Sequence, residues 1–294
     1  MAEPIPFVKL ADPVHGRVDQ LSPLVRRVIA ANPGPFTYTG TGTYVIGRGQ
    51  VAVIDPGPLD DAHLSALFAA VEGETVSHIL ITHTHMDHSP AAAPLKAITG
   101  ARTYGYGPHE RASDGTALVE EGGDMAFVPD VVVRDGDRIT GESWAFEAVH
   151  TPGHTANHLC FALSKELALF TGDHVMGWST TVISPPDGDM QAYLDSLEKL
   201  LNRDDAIYYP THGAPVVDPK PLIRALIAHR HEREEQIISA LGDSALDLMS
   251  LVPIVYAAVD KRLHPAAARS MLAHMIRLQQ TGRIVCEDGR YRTS

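Results

Sequence analysis

His83-Thr84-His85-Met86-Asp87-His88 sets three imidazoles and a carboxylate within six residues, and no other stretch of the chain decides so much. Four potential ligands on one short loop suit a pair of transition-metal ions better than a single one, because a tetrahedral site takes only three or four protein ligands in all. The chain holds 16 His in 294 residues, so an accidental His-rich turn has to be weighed. The downstream sequence weakens that reading. Thr151-Pro152-Gly153-His154-Thr155, Thr171-Gly172-Asp173-His174 and Pro210-Thr211-His212-Gly213 each place a His or Asp among turn-forming residues. Each follows a run that predicts a strand, at 144–149, 167–170 and 206–209. Residues at strand ends on a rigid scaffold are well placed to converge.

This ordered set resembles the pattern of the metallo-β-lactamase-fold hydrolase superfamily: His-x-His-x-Asp-His, then His, Asp and His further on. The resemblance runs from about residue 36 to residue 217. It implies an α/β fold, the αββα metallo-β-lactamase sandwich. It also implies a first metal held by His83, His85 and His154, a second held by Asp87, His88 and His212, and Asp173 bridging the two. Antibiotic-hydrolysing members typically lack an aspartate at that last position, so Asp173 looks more like the hydrolases of thioesters, lactones and phosphodiesters.

Composition narrows the classes. Apolar content of 44% suits a globular chain with a sizeable core. Apolar runs are interrupted well short of the ~18 residues that a membrane span needs, and the first residues carry neither a basic nor an apolar leader segment. The expectation is a cytoplasmic protein with no membrane partner. Cys160 and Cys286 lie outside the metal motifs, so the ligands are nitrogen and oxygen only; Cys160 reads as a core-strand residue. Residues 220–294 carry 11 Lys/Arg against 8 Asp/Glu, a net of +3, and the remainder carries −15 of the total −12. An acidic catalytic half disfavours long-range attraction of polyanions.

Along the chain, 43–47 and 50–55 read as strands around an Arg48-Gly49 turn. Asp60 or Asp61 can cap a helix presenting Leu64, Leu67, Phe68 and Val71. Asp55 either supports the histidine loop by accepting an imidazole N–H or only ends a strand. Residues 77–82 form a strand delivering the histidine loop, and 91–98 a helix. Segments 106–130 and 177–190 read as long loops flanking the site; Trp178 in the second either anchors the loop or meets substrate.

After Pro219 the pattern changes to helices at 221–241, 246–262 and 265–281 and a terminal hairpin at 282–291, a small winged-helix-like module. The division is 1–219 catalytic and 220–294 C-terminal. His229-Arg230-His231-Glu232-Arg233-Glu234 reads as a solvated helix face with i,i+4 pairs. The tail, the Thr39-Gly40-Thr41-Gly42-Thr43-Tyr44 stretch and the 229–234 helix resemble the β-lactamase-like protein 2 subgroup, whose best-known activity is cleavage of single-stranded RNA; Thr211 departs from the glycine usual before the last metal histidine. In the module Arg269, His274 and Arg277 fall on the helix that would face nucleic acid. The other reading is that the module packs beside the active site or mediates a homodimer.

The function expected is a dinuclear metal-dependent hydrolase with two divalent metal ions, Zn2+ suiting the ligands best and Fe or Mn also accepted. It would use a metal-bridging hydroxide oriented by Asp87 on an ester-like, amide-like or phosphodiester bond. Candidate substrates are single-stranded RNA, a lactone, a thioester or a β-lactam. The competing classes are a mononuclear iron oxidoreductase resembling persulfide dioxygenases, and a nucleic-acid-binding module whose metals are structural.

Overall fold

The computed structural model describes residues 4–9, 12–109 and 122–294. The first sheet orders its seven strands as they occur in the chain. These are β1 (Val18–Gln20), β2 (Val25–Ile29), β3 (Gly42–Arg48), β4 (Gln50–Ile54), β5 (Thr75–Leu80), β6 (Arg102–Gly105) and β7 (Val131–Val132). Strands β1 to β4 pair antiparallel, then β4 to β7 run parallel. Helix α1 (Asp61–Ala70) crosses from β4 to β5, and α2 (Ala92–Thr99) from β5 to β6. Asp60 caps α1 by accepting the His63 N–H at 2.7 Å, as the sequence predicts.

The second sheet holds β8 (Arg138–Thr140), β9 (Ala145–His150), β10 (Leu159–Leu163), β11 (Ala168–Gly172), β12 (Ile207–Pro210) and β13 (Val216–Val217), in sequence order, with α3 (Met190–Leu201) linking β11 to the parallel β12. The two sheets face each other across a shared apolar layer. Tyr44, Ile46, Ala52 and Ile54 of the first meet Phe146, Phe161, Phe170 and Tyr209 of the second. The intervening residues Val45, Val51 and Val53 point the other way, toward α2. This is the period of two expected of strands with both faces covered. On the outer face of the second sheet, Cys160, Ala162 and Leu169 pack on Tyr193, Leu194 and Leu197 of α3. The layers therefore run helix, sheet, sheet, helix, as the αββα expectation requires. Both cysteines are free, and Cys160 is buried in β10.

The tail comprises α4 (Lys220–Leu241), α5 (Leu248–Val255), α6 (His264–Gln280), β14 (Ile284–Glu287) and β15 (Arg290–Thr293). The last two form a hairpin whose turn residues Asp288 and Gly289 both have positive φ, the geometry that two-residue hairpin turns need. The expected helix at 246–262 is shorter: α5 ends at Val255, two residues beyond Pro253, and a separate 3-10 turn covers Lys261–Leu263. Helix α4 belongs to both halves. Its first turns place Leu222, Ile223 and Leu226 in the core beneath the second sheet, and its last place Ile237 and Leu241 against α5 and α6.

The 229–234 stretch is solvated only in part. Arg230 is 4% exposed and Glu234 1%; residues four apart share a helix face, and this one is turned inward. The helix predicted to meet nucleic acid is likewise turned to the catalytic half. His274 is fully buried, Arg277 donates to Glu234 and Gln191, and Arg269 donates to the Pro185 carbonyl at 3.5 Å. Packing explains the difference, since α6 lies against both α3 and α4. Of the loop predicted at 106–130, residues 110–121 lie outside the described residues. Its far end is pinned to the histidine loop, with Asp124 N–H donating to the Thr84 carbonyl at 2.7 Å and Met86 N–H to the Gly122 carbonyl at 2.9 Å.

Candidate metal centre

Strand β5 ends inside the molecule, and the chain turns directly into 83–88. Its turn is fixed by a fully buried carboxylate. Asp55, at the end of β4 with a φ of 47°, accepts from Thr82 N–H at 2.8 Å and from Thr82 Oγ1 at 2.7 Å. The same carboxylate takes the His88 Nδ1 proton at 2.9 Å and the Thr211 hydroxyl at 3.2 Å. Both alternatives for Asp55 therefore hold at once, strand end and imidazole support. Thr211, the departure from the expected glycine, contributes one of those bonds. His154 follows Gly153, whose φ is 137° and whose Cβ, if it had one, would lie 2.4 Å from the Tyr193 backbone. Asp173 follows Gly172, where a Cβ would come within 2.6 Å of His158 Nε2. Only glycine allows these loops so close to α3 and β10.

All seven predicted residues converge and all are buried. His83 Nε2 lies 3.0 Å from His85 Nδ1, which lies 3.2 Å from His154 Nε2. Asp87 Oδ2 lies 3.3 Å from His88 Nε2 and 3.1 Å from His212 Nε2. Asp173 sits between the groups, 3.9 Å from His154 Nε2, 3.6 Å from His88 Nε2 and 3.4 Å from His212 Nε2. Three sets could each hold an ion: His83 with His85 and His154, Asp87 with His88 and His212, and His83 with His88 and Asp173.

The far ring nitrogens are anchored. His154 Nδ1 donates to the Val182 carbonyl at 2.8 Å, His212 Nδ1 to the Gly40 carbonyl at 3.3 Å, and His88 Nδ1 to Asp55. Thr82 gives its hydroxyl proton to Asp55, so His83 Nδ1 donates to Thr82 Oγ1 at 3.1 Å. An imidazole held this way presents its other nitrogen as a lone pair, the arrangement usual for metal-ligating histidines. His88 Nε2 and Asp173 Oδ1 are buried without a hydrogen-bond partner. Buried orphan polar atoms are costly, and cations between the groups would satisfy them.

Charge leads to the same conclusion. Burial and neighbouring imidazoles push His83 and His85 well below the ordinary histidine range. Burial acts on His88 too, yet Asp87, Asp173 and Asp55 together hold it well above that range, and Asp173 with Asp87 raises His212 to about 10. Three buried carboxylates thus recruit protons onto two imidazoles. Divalent cations would compensate the same charge more completely, so the donor set fits them.

Further residues of the site escaped the sequence reading. Thr41 Oγ1 donates to Asp87 Oδ2 at 3.0 Å. His158, buried just before β10, accepts the Asp173 backbone N–H at 3.3 Å and stacks over His83 at 5.1 Å. The site opens into a cleft of about 40 Å³, with walls of Pro35, Phe36, Thr37, Met176, Trp178, Ser179, Thr180 and Val182 and a floor that includes His85, Asp87, His154, Asp173 and His212. Trp178 anchors its loop, and it also faces the cleft. It lines the cleft and stacks on Tyr38 at 4.7 Å.

The sequence profile of the Metallo-beta-lactamase superfamily matches residues 39–212, which include all seven converging residues. The chain belongs to the metallo-β-lactamase superfamily. The profile of the Beta-lactamase associated winged helix domain matches residues 248–292, so the tail is a winged helix. The chain is similar to the Beta-lactamase-like protein 2 homolog of Drosophila melanogaster, 31% identical over 282 residues and covering 91% of each chain. It is 33% identical over 228 residues to the Atrochrysone carboxyl ACP thioesterase of Claviceps purpurea (strain 20.1), covering 76% of this chain and 67% of that one. A Beta-lactamase domain protein from Burkholderia ambifaria has the same fold, with a TM-score of 0.81 at 23% identity over 97% of this chain and 96% of that one. The chain is thus a metallo-β-lactamase superfamily hydrolase with His/Asp groups able to hold metal ions. No helix among the described residues is long and apolar enough to cross a membrane.

Proposed function

We propose that this superfamily member is a two-metal hydrolase of thioesters bearing an apolar acyl group. The observation carrying this reading is the cleft. Its walls are mostly apolar, and no Lys or Arg is among the described residues that line it. A single-stranded RNA path needs cationic side chains tracking the phosphates, and the basic residues of α6 are engaged inside the molecule. The fungal relative is named a thioesterase, which fits an apolar acyl pocket.

His83, His85 and His154 would hold one cation and Asp87, His88 and His212 the other, with Asp173 shared between them. Zinc suits this nitrogen and oxygen set, and iron and manganese are compatible with it. Bound divalent cations would supply an activated water at neutral pH and a Lewis acid for the carbonyl. Asp87 is the catalytic residue proposed from this chain. Thr41 donates to its Oδ2, the oxygen nearest His88 and His212, which leaves Oδ1 to accept the proton of the attacking water. Phe36, Met176 and Trp178 exclude solvent from the acyl chain and hold it against the floor. A thiol with an ordinary pKa near 8.5 departs as thiolate without a dedicated acid, so the absence of a further acid from the described lining is no obstacle.

The test is a panel on zinc-loaded protein: an apolar acyl thioester, a homoserine lactone, nitrocefin and a short single-stranded RNA. Thiol release with the highest kcat/KM of the four is expected. Faster cleavage of the RNA would overturn the substrate class. One iron and no zinc per chain in purified protein would instead favour the dioxygenase-like alternative.

A further inference from the structure

The loop from Asp173 to Val182 does two jobs at the site. Its start supplies Asp173, and its end supplies the carbonyl that orients His154. Between them sits buried Thr181, whose hydroxyl reaches the carbonyls of Asp173 at 2.7 Å and His174 at 3.1 Å. The Thr181 carbonyl in turn accepts from Arg230 Nη2. Arg230 is 4% exposed, and its guanidinium lies over the Tyr193 ring, 5.1 Å from its centroid, while His174 also neighbours that ring at 4.8 Å. Arg230 Nε is buried with no hydrogen-bond partner.

A buried cation with one carbonyl and one aromatic face is an expensive way to fill space. An apolar side chain would pack there at lower cost, but it would leave the Thr181 carbonyl unbonded and the loop free to shift. Four residues on, Glu234 on the same helix face binds Arg277 and His274 of α6. The face that steadies the metal loop is therefore clamped from behind by the winged-helix tail.

We propose that Arg230 is a positioning residue for the metal centre: from the helix shared with the C-terminal module it holds the Thr181 carbonyl, and through that loop the placement of Asp173 and His154. This rests on the metal-binding reading above. It also gives the tail a role in hydrolysis that needs no nucleic acid.

The test uses the full chain loaded with Co(II), whose visible absorption reports ligand geometry. In Arg230→Ala the absorption is expected to change in shape, the Co(II) dissociation constant to rise roughly 10- to 100-fold, and the amides of residues 173–182 to exchange hydrogen faster. Arg230→Lys, which keeps a donor for the carbonyl, should recover part of each change. Arg233→Ala cuts a bond from the same helix to the Val255 carbonyl and should leave all three readouts at wild type. Should Arg230→Ala fail to fold, Thr181→Val removes the two hydroxyl bonds while keeping the cation in place, and the same changes are expected. A folded Arg230→Ala with wild-type spectrum, affinity and exchange would overturn the proposal while sparing the metal reading. Wild-type protein that takes up no Co(II) would overturn both.

Discussion

Two histidine-rich charged stretches, 83–88 and 229–234, look alike in the sequence and end as opposites in the structure. The first lies on a loop, so consecutive side chains can turn to one point; six residues deliver four groups to one centre. The second lies on α4, where helical geometry scatters neighbours and only residues three or four apart meet. Arg230 and Glu234 go inward and Glu232 does not. The deeper contrast is satisfaction. Glu234 has its cation in Arg277 and a further donor in His274, whereas His88 Nε2 and Asp173 Oδ1, 3.6 Å apart, have no hydrogen-bond partner. Orphans remain near the second stretch too, Arg230 Nε and His274 Nε2, but those are isolated atoms, whereas the orphans of the first belong to sets of ligand atoms aimed at common points.

The largest effect that could break this contrast is on activity. His85→Ala or Asp87→Asn should reduce hydrolysis to background while the circular dichroism spectrum and melting temperature change little, because the side-chain partners given above for these groups are residues of the site itself. Chelation followed by zinc add-back should remove and restore activity in the same protein. Turnover retained by metal-free Asp87→Asn would refute the assignment. The second stretch should respond in the reverse sense. Glu234→Ala takes the charged partner from the part-buried Arg277 guanidinium and the acceptor from buried His274, and is expected to cost about 2 kcal/mol in urea unfolding. A loss below about 1 kcal/mol would mean that Glu234 is not the keystone of the tail contact.

How far the sequence discloses these outcomes depends on what each residue answers to. Ligand residues are legible because their chemistry demands particular types at short spacing, and glycines before His154 and Asp173 mark loops that must approach α3 and β10 closely. Strand β2 is not legible. Arg26 and Arg27 interrupt its apolar run, and only the fold reveals their acceptors, the Ala70 carbonyl with Glu74 and the Gly213 carbonyl. His158 and Arg230 are hidden for the same reason, since their partners lie 15 and 49 residues away. The inward face of α4 follows from what α6 covers, which no pattern within α4 records.

Asp55 tests the middle ground, because it is self-satisfied like Glu234 yet belongs to the metal centre. Asp55→Asn keeps the size of the side chain but weakens its hold on the His88 Nδ1 proton. Loss of such an outer partner typically costs 10- to 100-fold in metal affinity or activity, and a fall of that order in zinc affinity is expected, measured by chelator competition. An unchanged affinity would return Asp55 to the role of strand-end turn.

The smallest expected effect is a pH response confined to the second stretch. Burial, with Arg230 and Arg233 nearby, lowers His274 from 6.5 to about 4 even though Glu234 faces it. The folded protein therefore keeps His274 neutral where the unfolded chain already binds a proton, so unfolding gains a proton between pH 6.5 and 4 and stability falls as pH drops through that window. Glu234 acts in the same direction further down. Although burial opposes it, the bonds from His274 and Arg277 hold its carboxyl below 4.5, a contribution present above that value and lost as protonation proceeds. The tail should thus weaken on acidification in two successive steps. Hydrogen exchange across α5 and α6 between pH 7 and 4.5 reads the first, each unit of pKa shift corresponding to about 1.4 kcal/mol, and His274→Gln should flatten it. A tail equally protected at both pH values, with the wild-type histidine in place, would mean that His274 can take a proton without leaving its pocket. The contrast between the two stretches would then rest on the unpartnered atoms of the metal centre alone.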